Sequence, residues 1–207
     1  MRRLPPPPPR ALRRKPWRES ELVALDFETT GLDLRTDTVV SFGLVLVVRG
    51  RIDLAWSRYQ EVRPRSPMSH RSITVHHLRP ADLADAPSLD AVVPSLRDGL
   101  ERRLILVWHG EIEAAFLARI LGGSARRWRA RMVDVLRLAV AVDRVDGVAA
   151  ASYALADVVA RRGLPVEEAH HALNDALMTA ELFLALAPRL PALGVDDVRA
   201  LLRRSRP

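Results

Sequence analysis

The first residues able to do chemistry are two carboxylates at the end of an apolar run. Leu22 to Leu25 is followed by Asp26 and Glu28, two positions apart. A short continuous apolar run fits a central strand that is covered on both faces. Because residues i and i+2 of a strand point to the same face, the two carboxylates leave the sheet together and repel each other. A hard cation such as Mg²⁺ or Mn²⁺ would relieve that repulsion, although solvated acids at an ordinary strand end explain the pair equally well.

A third acid follows a second short apolar run. Residues 104–108 predict a buried strand, and residues 111–121 predict a helix. Phe116 and Leu117 stand three and four positions after Glu113, so they share its helix face and would aim its carboxylate toward the sheet. By itself, Glu113 is better explained as an acid that favours the positive end of the helix dipole.

The fourth acid lies on the apolar stripe of a helix predicted over residues 172–187. Asp175, Met178, Leu182 and Leu186 follow one another in steps of three and four residues. A carboxylate in the first turn of a core-facing stripe is unfavourable unless it is paired or binds a metal. A capping or ion-paired role is the alternative, and we favour a metal-binding role for Asp175.

A candidate general base precedes this helix. Five positions separate His170 from Asp175, about 140° of helical rotation, so a shared helix face does not bring them together. On the loop before the helix, a histidine beside a metal cluster is suited to take a proton from water. The pattern alone leaves His170 and His171 as alternatives. Carboxylates that hold two ions about 4 Å apart would serve phosphodiester hydrolysis.

The elements around these residues predict a mixed sheet. Strands over residues 21–28 and 39–48, with a third near 52–56, form an antiparallel meander whose third strand lies at an edge. A helix over 89–101 then connects to the strand 104–108, an order that demands a parallel crossover beside the first strand. Residues 62–80 are predicted to form a loop. Further helices are predicted at about 111–121, 132–142, 152–162, 172–187 and 195–204. The fold class is therefore α/β, with three antiparallel strands, then parallel strands, flanked by helices.

This topology explains where the candidate residues would meet. Ligand sites of α/β sheets lie at the carboxyl ends of strands. Asp26 and Glu28 stand at such an end, and so does His109, which follows the strand 104–108.

Composition divides the chain into a leader and one domain. Residues 1–18 contain the proline run Pro5–Pro9, seven basic residues and no acid, which predicts a disordered basic leader. The remaining residues, 19–207, have 25 basic and 25 acidic side chains and suit a single domain. The leader could bind nucleic acid, anionic lipid or an acidic partner.

Other composition signals favour a cytoplasmic protein. The chain has no cysteine, in agreement with a reducing compartment. It also has no secretory signal and no apolar run of about 18 residues, so we expect no membrane partner.

Two motifs resemble a known family. The stretch from Asp26 to Gly31 resembles the first motif of the DnaQ-like (DEDDh) 3′–5′ exonucleases, a family that includes proofreading subunits of DNA polymerases. His170 followed by Asp175 resembles the third motif, and this spacing selects His170 over His171 as the general base. The resemblance implies a ribonuclease H-like fold and two Mg²⁺ or Mn²⁺ ions.

The resemblance also assigns roles. It implies that Asp26, Glu28, Asp175 and the acid of the second motif hold the ions. It implies that Thr29 and the backbone near Gly31 contact the terminal nucleotide, and we predict Phe27, Thr30 and His109 as further substrate contacts. The second motif departs from the family pattern, which is His-Asn-x-x-Phe-Asp before a Phe-Leu-like pair. Here His109-Gly110 comes one residue closer to that pair, and Glu113 replaces the aspartate.

Three functions follow from these observations. The leading hypothesis is a metal-dependent 3′–5′ exonuclease that acts on single-stranded DNA ends. The second keeps the chemistry but takes RNA as substrate, because discrimination depends on 2′-hydroxyl contacts that the motifs do not reveal. The third is a catalytically weakened module that binds nucleic acid or a DNA polymerase subunit, and it is motivated by Gly110 and Glu113.

Overall fold

The site is positioned by one five-stranded mixed sheet with helices on both faces. A computed structural model describes residues 14–206. The strands are β1 (Leu22–Thr29), β2 (Val39–Val48), β3 (Arg51–Glu61), β4 (Leu104–Val107) and β5 (Met132–Asp134). The helices are α1 (His70–His76), α2 (Leu89–Leu100), α3 (Glu111–Leu121), α4 (Ala125–Arg129), α5 (Val135–Asp146), α6 (Leu155–Arg161), α7 (Ala172–Leu186) and α8 (Val198–Arg204). Short 3₁₀ helices span Trp17–Glu19 and Ala187–Leu193.

β1 is the centre of the sheet, whose order is β3-β2-β1-β4-β5. It pairs antiparallel with β2 and parallel with β4, and β4 pairs parallel with β5. The predicted fold class is confirmed, with β3 at the predicted edge. The parallel strands β1, β4 and β5 end on one side of the sheet, so the residues that follow them lie along a common edge.

Two hydrophobic cores cover the two faces of the sheet. Leu22 and Ala24 of β1 point into a core formed with α5, α6, α7 and α8. Val23, Leu25 and Phe27 point into the opposite core, formed with α2, α3 and α4. This strict alternation along β1 determines which layer each side chain of the strand reaches.

Helix α7 rests directly on the sheet because β2 has a glycine beneath it. A Cβ atom on Gly43 would lie 2.2 Å from the carbonyl oxygen of Ala172, in the first turn of α7. Gly43 is also the partner of Asp26 in the β1–β2 ladder. The glycine therefore sets how closely the start of α7 approaches the carboxylate of Asp26.

Several predicted elements need correction. The helix predicted over 132–142 begins instead with the buried strand β5, and its helical part is α5, Val135–Asp146. β3 extends to Glu61, well beyond the predicted alternation. The region 62–80, predicted as a loop, contains α1, whose first turn is capped by the Ser69 hydroxyl. The described chain also forms the short helix α4, which was not predicted.

The boundary predicted between the leader and the domain, after residue 18, lies too far along the chain. Trp17 is 1% exposed, and its ring packs edge-on against Phe183 of α7 at 5.0 Å between centroids. Pro16 forms a β-bridge with Asp197, just before α8. Residues 16–18 therefore belong to the packed domain. Residues 1–13, which hold the proline run, lie outside the described residues.

The stretch Ala172–Leu193 is long and apolar enough to cross a membrane by length and composition alone. Its helical part, α7, packs against β1 and β2 in the core. Burial against the sheet accounts for this apolar composition, because a helix that covers a central strand is buried on most of its surface.

Candidate active site

The candidate site begins on β1, where the apolar face of the strand becomes acidic. Leu22 and Ala24 point toward α7, and Asp26 and Glu28 continue the same alternation. The β1–β2 register shifts between Glu28 and Thr29, so the strand bends just after the second acid. Both carboxylates therefore emerge at the end of β1 on the α7 side, as predicted from their spacing.

α7 brings Asp175 to these two acids. The Asp175 carboxylate accepts a hydrogen bond from the His170 backbone N–H at 3.2 Å, which ties the loop before the helix to its first turn. His170 has φ of +62°, an uncommon conformation for a non-glycine residue. One potential ligand atom from each of Glu28, His170 and Asp175 lies within 4.8 Å of the others.

Glu113 completes the acidic group from the opposite layer. It lies in the first turn of α3, is 6% exposed, and its Oε2 is buried without a hydrogen-bond partner among the described residues. Its charge is felt by Asp26, whose pKa it raises. Glu113 thus faces the acids of β1, the orientation that the apolar pair Phe116-Leu117 predicts.

Burial raises the pKa of all four carboxyls, and a neighbouring acid adds to the effect at Asp26, Glu28 and Glu113. Burial raises the pKa of Asp26 well above its usual range, and the charges of Glu28, Asp175 and Glu113 raise it further. Burial, and then the charge of Asp175, raises the pKa of Glu28 to about 8. Burial raises the pKa of Glu113 to about 8, with Asp134 adding to the effect. Burial likewise raises the pKa of Asp175, although the His170 N–H opposes the shift.

These properties fit a divalent cation. The four acids repel one another in a partly buried cleft, and the Oε2 of Glu113 and the Oδ1 of Asp175 are buried without partners among the described residues. Carboxylate oxygens are the ligands that Mg²⁺ and Mn²⁺ prefer. A buried group of like charges without counter-charge is unfavourable, so the donor set suits cation binding better than it suits a structural role.

A cavity of about 520 Å³ opens beside the acids. Its walls come from the end of β1, the loop that follows, α1 and the first turn of α3. Four of the five predicted substrate contacts line it, namely Phe27, Thr29, Thr30 and Gly31. Exposed apolar side chains stand around it, namely Leu32, Val75 and Ile112.

The lining residues differ in what they offer a ligand. The Thr30 side chain is fully buried, and its hydroxyl donates to Asp37 at 2.8 Å and accepts from the Thr38 N–H at 3.0 Å. The Thr29 hydroxyl donates to the Gly31 carbonyl at 2.8 Å. A Cβ atom on Gly31 would meet Asp37 Oδ2 at 2.5 Å, so a larger residue here would have to displace the Asp37 carboxylate. These residues shape the wall more than they present free polar groups.

His109 does not line this cavity. It follows β4 with φ of +61° and borders a second cavity, described below, together with Glu111 and Asp134. The other predicted residues, by contrast, lie along the end of β1, in the first turn of α3 or at the start of α7. His109 is therefore the one predicted site residue that the fold directs elsewhere.

Sequence reasoning missed three residues beside the site. His76 is 6% exposed, lines the 520 Å³ cavity and accepts a hydrogen bond from the Leu78 N–H at 3.1 Å. Its burial lowers its pKa. Gly43 lies under α7, and Tyr59 of β3 stacks against His171. The pair His76-His77 was a usable signal, whereas Gly43 and Tyr59 gave none because their partners are distant in the chain.

A match to a protein family identifies the chain as a nuclease of the exonuclease class. An exonuclease family model, that of RNase T, matches residues 23–183. The chain therefore belongs to this family of hydrolases. The matched stretch contains all four acids and His170.

Curated relatives are much longer proteins. The PolC-type DNA polymerase III of Thermotoga petrophila is 28% identical over 186 residues, which are 88% of this chain and 13% of that protein. A DNA polymerase III subunit epsilon-like protein of Rhodobacter capsulatus is 29% identical over 199 residues, 95% of this chain and 28% of that protein. The chain thus spans less than a third of the length of either relative.

A solved structure shares the fold. The crystal structure of E. coli exonuclease I in complex with a dT13 oligonucleotide superposes with a TM-score of 0.72 at 15% identity. The superposition covers 84% of this chain and 42% of that chain.

Proposed function

We propose that this protein is a metal-dependent 3′–5′ exonuclease that releases nucleoside monophosphates from single-stranded DNA ends. The observation that carries the proposal is the convergence of Asp26, Glu28, Glu113 and Asp175 from three elements beside a cavity of about 520 Å³. Membership of the exonuclease family supports the same conclusion.

The four carboxylates are the proposed metal ligands. They would hold two Mg²⁺ or Mn²⁺ ions, and their raised pKa values mean that cation binding would compete with protonation. When bound, such ions lower the pKa of water and place positive charge near the leaving oxygen. Glu113 takes the place of the aspartate that is usual in the second motif, and its buried orientation toward Asp26 argues against a weakened, binding-only module.

His170 is the proposed general base. Its side chain is exposed to solvent at the edge of the cleft, and its backbone is tied to Asp175. A water oxygen forms a bond to phosphorus while the bond from phosphorus to the 3′-oxygen of the preceding nucleotide breaks. The His170 imidazole accepts the proton of the water, and the released 3′-oxygen takes a proton from solvent. The products are a nucleoside 5′-monophosphate and a strand that is one nucleotide shorter.

The cavity is proposed to hold the terminal nucleotide. Its volume lies in the range of sites for small molecules, which suits one nucleotide rather than a continuous strand. Leu32, Val75 and Ile112 offer apolar surface for a base, and the Phe27 ring packs at a tilt against Phe116, with 6.5 Å between the centroids and 59° between the planes. A single-nucleotide cavity favours attack at an end of the strand.

DNA is the proposed substrate because of the relatives' names. The two curated relatives are named as DNA polymerase III proteins, and exonuclease I was solved with a DNA oligonucleotide. We also propose that a DNA polymerase subunit is a partner and that the protein works in the cytoplasm. Size-exclusion chromatography with the replicative polymerase of the same organism would test that partnership.

The decisive experiment follows a 5′-labelled single-stranded DNA of about 20 nucleotides in Mg²⁺ or Mn²⁺. We expect a ladder of products shortened one nucleotide at a time from the 3′ end, and no products in EDTA. A matched RNA strand, run in parallel, compares the two substrates directly.

The control is Asp26→Ala, which removes the carboxylate whose pKa the other three acids raise, without adding bulk. We expect it to leave the strand intact. Equal shortening by Asp26→Ala, or shortening from the 5′ end, would contradict the proposal. Faster cleavage of RNA than of DNA would replace DNA by RNA as the substrate.

A further inference from the structure

A second cavity, of about 490 Å³, lies at the ends of β4 and β5. Four arginines and two acids line it together with His109, and the arginines outnumber the acids. The charged side chains are Arg137, Arg144, Arg204, Arg206, Glu111 and Asp134. The proposed catalytic step does not use this cavity.

The basic wall is built by a specific contact between distant parts of the chain. The Asp134 backbone N–H, at the end of β5, donates to the Ser205 carbonyl at 3.2 Å. Ser205 is fully buried, and its hydroxyl donates to the Leu201 carbonyl at 2.8 Å. This contact holds the end of α8 against the start of α5, so Arg204 and Arg206 reach the cavity that Arg144 borders from α5.

The arginines of this cavity are mostly without internal partners. Asp134 is 3% exposed, caps α5 through the Leu136 N–H, and pairs with Arg137 at 3.8 Å. Arg144, Arg204 and Arg206 form no ion pair with any residue in the described range 14–206. Uncompensated guanidinium groups around a concave surface favour an anionic ligand, since guanidinium matches the geometry of phosphate oxygens.

The basic cavity adjoins the proposed catalytic cleft. Glu111 lines the basic cavity, while Ile112 and Glu113 line the 520 Å³ cavity, so the first turn of α3 separates the two. One helical turn rises about 5 Å, which neighbouring nucleotides of one strand can span.

We propose that the basic cavity binds backbone phosphates of the substrate strand upstream of its terminal nucleotide. The inference rests on the proposed function for its choice of a nucleic-acid strand as the anion. It gives His109 a place beside that strand rather than at the reacting phosphate. Phosphate contacts of this kind hold a strand in register without reading its sequence.

The test measures binding, which does not require cleavage. Fluorescence anisotropy follows a labelled 20-nucleotide DNA with phosphorothioate linkages at its 3′ end, in Mg²⁺, over a range of salt concentrations. The variant is Arg144→Ala with Arg204→Ala. Its matched control, Arg126→Ala with Arg127→Ala, removes two exposed arginines from α4, neither of which lines this cavity.

The slope of log K against log salt is negative, and loss of two phosphate contacts should make it shallower by about 1.4. Binding at 0.1 M salt should weaken about 25-fold. We expect the control to bind like the wild type. Equal weakening in variant and control, or an unchanged slope in the variant, would overturn the proposal. If the double variant melts early, Arg144→Glu alone, on an exposed position of α5, gives the same test.

The proposed function is tested separately. Hydrolysis of the p-nitrophenyl ester of thymidine 5′-monophosphate by the wild type needs only the catalytic cleft. A wild type that neither hydrolyses the ester nor shortens DNA would contradict the exonuclease proposal, while the anisotropy result would still decide the role of the basic cavity.

Discussion

The imidazole of His171 stacks on the phenol ring of Tyr59, with 4.4 Å between the centroids and 23° between the planes. His171 caps α7 and directly follows His170, while Tyr59 belongs to the edge strand β3. The stack therefore joins the edge of the sheet to the loop that carries the proposed general base. His170 depends on this support because its own side chain is exposed and its φ is positive.

We predict that Tyr59→Ala lowers kcat by about 10- to 100-fold with a smaller change in KM, because the loop loses its support and a displaced base transfers protons poorly. Tyr59→Phe keeps the ring and should retain most of the activity. Steady-state kinetics on a short DNA strand would measure both. Equal losses in the two variants would assign the effect to the hydroxyl and contradict a stacking role.

Glu113→Gln should lower kcat by about 100-fold or more and weaken Mn²⁺ binding, since it keeps the size of the side chain but removes a proposed ligand charge. Isothermal titration of Mn²⁺, together with a kinetic assay, would measure the effects. Glu101→Gln at the exposed end of α2 is the matched control and should behave like the wild type. Normal metal binding in Glu113→Gln would remove Glu113 from the ligand set.

Gly43→Ala should separate α7 from the sheet, because its Cβ would lie 2.2 Å from the Ala172 carbonyl oxygen. We expect weaker Mn²⁺ binding as well as a lower melting temperature, since Asp175 would move away from Asp26. Gly99→Ala is the comparison, because its Cβ would clash with the side-chain tip of Leu44 at 2.4 Å and touch Trp56 at 3.6 Å, and neither contact is with backbone. It should lower stability without changing metal affinity. Unchanged metal binding in Gly43→Ala would show that the start of α7 accommodates the methyl group without moving Asp175 away from Asp26, and would contradict the prediction.

The metal-free protein should lose stability as pH rises. Glu28 and Glu113 have folded-state pKa values of about 8, above the ordinary value near 4.5. Between these values the folded state binds more protons than the unfolded state, so stability falls with rising pH. This contribution is complete below about pH 4.5 and is lost as pH passes through about 8.

Thermal melts in EDTA from pH 5 to 9 would measure this dependence. The double variant Glu28→Gln with Glu113→Gln should show a flatter profile, and Mg²⁺ should stabilise the wild type most at the alkaline end because bound cations favour ionised ligands. A melting temperature that rises with pH in EDTA, with the same slope in the double variant, would exclude this linkage.

The sequence alone predicted the orientation of those side chains whose direction depends on near neighbours in the chain. Alternation along β1 correctly directed Asp26 and Glu28 to one face, and the stripe of α7 directed Asp175 toward the sheet. The apolar pair after Glu113 correctly indicated its orientation. In each case the neighbours within one strand or one helix turn determine where the side chain points.

The sequence did not predict features that depend on distant partners. β5 has three residues, and its stability comes from pairing with β4 and from burial. Because neither is visible in the sequence, its apolar residues were predicted as the start of the helix that follows. Trp17 stood in a basic, proline-rich stretch, and only its contact with Phe183 assigns it to the core. His109 follows β4 closely, as predicted, but it has a positive φ and borders the basic cavity instead of the 520 Å³ cavity.

The acidic cleft takes its residues from β1, α3 and α7, which are separated by some 85 and 60 positions of chain. None of the three segments carries more than two of the acids, and α7 is synthesised some 145 positions after β1. A nascent or partly unfolded chain therefore holds no complete cleft. Metal binding and cleavage at this cleft would then require the folded domain and would be lost together when the three segments separate.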